Sequence, residues 1–282
     1  MRHPILIALC LGGTVALSAC QHGVSRAEAD AAVADAALVD QSNLNDVMMS
    51  VADPTEAVTY FRNASTVSPN NLDLKRGLAK SLVRANLMTE ALTTLTEITT
   101  SADATNEDRL ALADAQIRSN DWAEAEATLN SIPPTVESYE RYRLEAMVAD
   151  SKKDWKKADS FYEIAAGLTS KPQGVYNNWG YSKLTRGDGP GAERLFNQAL
   201  TYDPTMFTAK NNLVLARAAQ HKYDLPIVQM TQTERAQLLY TMALAAIKQG
   251  DTSTGKRLLQ EAVDTSPTYF EAAARSLAAL EG

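Results

Sequence analysis

Small and apolar positions alternate along this chain with a fixed long period. An alanine precedes an apolar or aromatic residue by four positions at Ala57/Phe61, Ala91/Leu95, Ala125/Leu129, Ala158/Tyr162 and Ala192/Phe196. The intervals between those alanines are 34, 34, 33 and 34 residues. Three positions after Phe61, Tyr162 and Phe196 come Ala64, Ala165 and Ala199, and five beyond Ala64 and Ala199 stand Pro69 and Pro204. Residues four and three apart share a helix face, so each stripe predicts one amphipathic helix, and its return every 34 residues or so predicts a stacked repeat. Between the stripes run Ser119-Asn120-Asp121-Trp122, Lys153-Asp154-Trp155, Arg186-Gly187-Asp188-Gly189 and Gln249-Gly250-Asp251. Asp or Gly at such a place ends one helix and caps the next. The unit is therefore helix-turn-helix, with the alanine where helices cross too closely for a larger side chain. The doubled amides Asn177-Asn178 and Asn211-Asn212 repeat at the same interval, which marks the first helix of two successive units as built to one plan.

The pattern breaks once. After a good helix from Phe207 to Gln220 the chain reads HKYDLPIVQM, and Pro226 occupies the place of the crossing alanine. Proline inside a helix removes a hydrogen bond and clashes with the preceding turn, so an irregular element is predicted between Tyr223 and Gln232. Register returns with Met242-Ala243, Gly250-Asp251, Leu259, Ala262 and Pro267, and a last helix from Tyr269 to Leu280 closes the open end.

These residues resemble the tetratricopeptide repeat (TPR), a helix-turn-helix unit whose pattern ends in Ala, an aromatic residue and Pro. The resemblance covers residues 38–282 and implies an all-α, right-handed superhelical solenoid of six to seven units with a C-terminal capping helix. The units fall near 38–71, 72–105, 106–138, 139–172, 173–206, an irregular 207–235, and 236–269, with the cap at 270–282.

The N-terminus follows another logic. MRHPILIALCLGGTVALSAC has a basic start, an apolar run from Ile5 to Leu17 that is short for a membrane span, and small residues before Cys20. Leu17-Ser18-Ala19-Cys20 resembles a bacterial lipobox, which implies removal of residues 1–19 and acylation of the Cys20 thiol. Cys10 leaves with the signal, so no disulfide is expected and the fold stands on packing alone. Several acyl chains at about 0.8 kcal/mol per buried CH₂ make a durable anchor. Gln21 stands where an Asp holds enterobacterial-type lipoproteins at the inner membrane, so the expected address is the outer membrane with the body in the periplasm. Residues 20–37 read as lipidated Cys and tether.

Composition sharpens this. Of 282 residues 45% are hydrophobic and 22% charged, a globular balance, and few are aromatic. The net charge of −7 argues against nucleic acid, whose binders carry a basic footprint. Gly187-Asp-Gly189-Pro-Gly191 follows no strand and precedes no Lys-Ser/Thr, so it is a turn rather than a phosphate cradle. His22 and His221 have no partners at metal-ligand spacing, and Asp30, Asp35 and Asp40 do not make a calcium loop. No nucleophile elbow and no mature Cys nucleophile occur. The expectation is a non-enzyme with no cofactor and no metal.

A TPR stack coils so that its first (A) helices line a concave groove, used in the family to hold peptides or partner proteins. The family's inward positions fall here on Arg76, Lys80, Arg84, Arg118, Arg143, Asn177, Tyr181, Asn211, Leu215 and Tyr240. The early units thus present Arg and Lys and the later ones amides, aromatics and aliphatics. The expected ligand is an extended segment, its acidic part meeting Arg76, Lys80 and Arg143 while Asn177 and Asn211 bond its main chain. Lipobox, tandem repeats and the stretch NNLVLARAAQ…TQTERAQLLYTMALAAIKQGD together resemble the TPR lipoproteins of tight-adherence (Flp) pilus assembly. That resemblance implies a pilotin-like or scaffold role, with an outer-membrane secretin or other pilus components as partners. The alternative is an envelope adaptor that docks a periplasmic hydrolase, protease or outer-membrane assembly factor.

Overall fold

The computed structural model describes residues 44–280. The signal, Cys20 and the tether lie outside the described residues. The chain divides after Asp53 into two compact units, of which the first contributes a helical stretch at residues 44–50. The second is built of helices joined by turns and one irregular stretch, with no strand among the described residues. Its helices are α1 (Pro54–Val67), α2 (Leu72–Arg84), α3 (Met88–Thr99), α4 (Asn106–Arg118), α5 (Trp122–Asn130), α6 (Tyr139–Ser151) and α7 (Trp155–Gly167). They continue as α8 (Gln173–Thr185), α9 (Gly189–Tyr202), α10 (Phe207–Ala218), α11 (Gln232–Lys248), α12 (Thr252–Thr265) and α13 (Glu271–Ala278).

The turn inside each unit from the second to the seventh has one design. Asn86, Asn120, Lys153, Gly187, His221 and Gly250 adopt the left-handed conformation, with φ from 58° to 86°. The next amide then bonds back five residues, as in Asp121 N–H to Gln116 O (2.8 Å), Asp154 to Ala149 (3.0 Å) and Asp251 to Ala246 (3.0 Å). This is the Schellman closure, which satisfies carbonyls that a helix end would leave bare. Asp154, Asp188 and Asp251 then accept the amides of Lys157, Gly191 and Thr254, capping the second helix as expected. Asp121 makes no side-chain cap bond.

The crossing alanines behave as their spacing predicts. Ala57, Ala91, Ala125, Ala158 and Ala192 are all at 0% exposure, and Phe61, Tyr162 and Phe196 are among the largest fully buried side chains. Each such aromatic contributes about 1.5–3 kcal/mol by leaving water. Two glycines make room for them: a Cβ on Gly77 would stand 2.4 Å from the Phe61 ring, and one on Gly180 2.6 Å from the Phe196 ring.

Unit six forms the turn and then fails to continue. Lys222 N–H still bonds to Arg217 O at 3.0 Å, so the closure is intact. Lys222 offers no acceptor for a cap, however, and Pro226, four residues on, has no N–H to give the Lys222 carbonyl. Residues 219–231 are irregular, and Tyr223, Leu225, Val228 and Met230 pack on neighbouring cores in place of a helix. α11 then starts at Gln232 through a capping box of Thr231 and Glu234. The cap helix α13 is shorter than Tyr269–Leu280, with Phe270 and Leu280 packed on the last core from outside its bounds.

Candidate functional site

Three basic residues on the face of the A helices (α2, α4, α6, α8, α10 and α11), Arg76, Arg118 and Arg143, are tied into ion-pair clusters at the joints between units. Arg76 forks onto Asp108 of the next unit, its Nε and Nη2 at 2.8 and 2.7 Å from the two carboxylate oxygens, and its Nη1 reaches Asp73 at 2.8 Å. Asp108 is buried and also closes the Thr105 capping box. The Arg76 bond holds its carboxyl below the ordinary value, and Arg76 in turn is raised by Asp108. Arg118 and Arg143 converge on Asp114, at 2.5 and 2.9 Å. Burial pushes Asp114 up, and the two arginines more than reverse it. Lys80 is exposed and Arg84 half-buried.

The amides form a ladder of their own. Asn212 Nδ2 donates to Asn177 Oδ1 at 3.0 Å, both side chains being buried, so Asn177 pairs with Asn212. Asn211 accepts from the Thr241 hydroxyl at 2.9 Å. Leu215 and Tyr240 are half-buried, and Tyr240 packs on Phe270 with ring centroids 5.3 Å apart.

One cavity opens on this face, between α6 and α8, with a volume of about 290 Å³. Met147, Asn177, Asn178 and Tyr181 line it, together with Trp122 and Trp155 from the first turns of α5 and α7. At its side Asp150 accepts the hydroxyls of Tyr162 (2.9 Å) and Ser182 (2.7 Å). Burial raises the Asp150 carboxyl above its ordinary value, against the pull of those two bonds. Burial and the neighbouring Asp150 charge raise the Tyr162 phenol as well. Of the ten groove positions read from sequence, the structure brings only Asn177 and Tyr181 to this cavity. Trp122, Trp155, Asp150 and Ser182 escaped that reading. The signal that points to two of them is the Asp-Trp pair recurring at the A–B turn, 121–122 and 154–155.

Among the described residues no cluster of three His, Cys, Asp or Glu could hold a metal ion, and no helix is long and apolar enough to cross a membrane.

The sequence matches no protein-family model and no curated protein. In three dimensions the chain is similar to a tetratricopeptide repeat protein from Parabacteroides merdae, at 14% identity and a TM-score of 0.54, over 82% of this chain and 93% of that one. The chain has the TPR fold. It is also similar to a chain of the APC/C hetero-tetramer Cut9–Hcn1, at 13% identity and a TM-score of 0.60 over 84% of this chain. It spans about half of that longer chain, 48% of its length. At such identities the likeness concerns the fold alone. The cavity between α6 and α8 lies on the A-helix face of this solenoid.

Proposed function

We propose that this TPR protein is a lipid-anchored scaffold on the periplasmic side of a bacterial outer membrane. In this reading it acts by binding rather than catalysis, as a pilotin-like, TadD-like component that helps a tight-adherence pilus secretin reach its membrane or assemble. The observation that carries the reading is the junction of a Leu17–Cys20 lipobox with a chain given over to TPR units. The acyl anchor fixes the body at a membrane, and a groove of A helices holds a partner segment there.

The test compares cells with and without the gene and blots membranes for the secretin's detergent-resistant multimer. Its disappearance, or its accumulation in the inner membrane, is the expected result. A multimer that forms and localises normally overturns the pilotin role. In the same strain Cys20→Ala is expected to abolish labelling by a palmitate analogue and to reproduce the deletion.

A further inference from the structure

Arg76, Arg118, Arg143, Lys183 and Arg217 of the A helices are each paired with an acid, whereas Asp150 on α6 is paired with no base among the described residues. Asp108 faces Arg76, Asp114 faces Arg118 and Arg143, Asp159 faces Lys183 and Arg186, and Glu193 faces Arg217 and Lys222, all within 4.0 Å. Asp150 receives only the two neutral hydroxyls and has no cation within that distance among the described residues. The nearby guanidinium of Arg186 is taken up by Asp159 and lies over the Trp155 ring, 5.5 Å from its centroid. Arg143, the other cation felt by Tyr162 beside it, is bound to Asp114.

We propose that the cavity between α6 and α8 receives an arginine side chain of the segment held in the groove, with Asp150 as its counter-ion. The proposal rests on the groove reading above and specifies what that groove selects. Size supports a single side chain: about 290 Å³ lies at the lower edge of the roughly 300–1,000 Å³ that small-molecule pockets occupy. The walls suit a flat cation on an apolar stem. Trp122, Trp155 and Tyr181 offer aromatic surface, and Met147 adapts to what lies against it. A carboxylate oxygen has two acceptor positions and each Asp150 oxygen has filled one, so a position remains on each. Two parallel N–H donors of a guanidinium match that pair, whereas a lysine ammonium does not. Tyr181 is 54% exposed, which leaves an aromatic surface at the rim for the stem.

The probe is N-acetyl-arginine amide, titrated into the mature chain while the indole N–H signals of Trp122, Trp155 and Trp179 are followed by NMR. Saturable shifts at Trp122 and Trp155 are expected, with Trp179, which donates to Asp159 outside the cavity, unmoved. The neutral isostere N-acetyl-citrulline amide is expected to move none of them. Asp150→Asn is expected to weaken arginine about tenfold or more, the scale of one lost charge-assisted hydrogen bond. Tyr181→Ala, at an exposed position that leaves the fold intact, is expected to weaken it severalfold. Equal shifts with citrulline, lysine amide binding as tightly as arginine, undiminished binding by a folded Asp150→Asn, or no saturable shift each overturn the assignment. Tyr181→Glu separates the two levels. If it abolishes crosslinking to the partner while arginine moves no indole, the groove stands and the arginine pocket falls. Crosslinking that ignores every groove substitution removes the groove itself.

Discussion

Asp150 and Asp108 are both acids on A helices, and their surroundings drive them in opposite directions. Asp150 is raised by burial, so it costs the fold stability once ionised. The cost starts as pH rises past the unfolded value near 3.8, because the free chain ionises first, and it is complete above the folded value. Asp150→Asn removes that charge. Its melting temperature at pH 7 is therefore expected to equal or exceed wild type, with the difference closing as pH falls towards 4. A drop of several degrees at pH 7 would show that the two hydroxyl bonds need the carboxylate, and that no stability is given up to hold the charge there. Asp108 is lowered, chiefly by Arg76. Its contribution is present above the unfolded value and is lost as pH falls through the folded one. Arg76→Ala strands a carboxylate whose side chain is 6% exposed. The expected loss is about 2–3 kcal/mol in urea unfolding, less than the ~3–5 of a fully buried pair because water still reaches the guanidinium. An unchanged midpoint would mean that Thr105 and solvent satisfy Asp108 without it.

At the level of helices, close crossings decide which residues are allowed. Gly180 lies so near Phe196 that Ala in its place forces the ring to move. Gly180→Ala is expected to cost about 1–3 kcal/mol, the usual penalty of overpacking, and Phe196→Leu in the same chain should recover part of it. Purely additive losses in that double-mutant cycle would contradict the contact. The helices themselves were legible in sequence, because a small residue four before an aromatic has one geometric use and recurs at one interval. Pro226 was legible for the same reason: it removes the N–H that the first turn of a helix would send to Lys222. The cavity was less so. Asn177 and Asn211 stand 34 residues apart, but the bonded pair is Asn177 and Asn212, and one residue of helix rotation, roughly 100°, exchanges the inward amide for its neighbour. Arg76 and Arg143 look free along the chain because their carboxylates lie 32 and 29 residues away in sequence. Only the joint between units brings those partners together.

Across the whole repeat stack, stability is a sum over joints, and the joints are not equal. Most carry ion pairs between successive units, among them Arg62–Glu90, Lys152–Glu126, Lys183–Asp159 and Arg217–Glu193. At unit six the second helix is missing, and the span is closed by a segment whose Ile227 stands fully in water beside Pro226. Buried Lys210, 2% exposed and 2.9 Å from Glu234, ties α10 to the start of α11, and Val214 and Ala218 share a core with Leu238, Leu239 and Met242. The segment is thus weakly held while the helices on either side of it are firmly joined. Exposed irregular chain opens at lower free energy than packed helix, so a protease should reach it first. Brief trypsin treatment is expected to make its first cut within residues 54–280 at Lys222, whose side chain is 47% exposed. The two pieces should still elute together from a sizing column, because the α10–α11 core does not depend on the cut bond. Earlier cleavage inside a helix of units two to five would place the weak point elsewhere. Fragments that separate would mean that residues 219–231, rather than the packed helices, hold the last repeat to the stack.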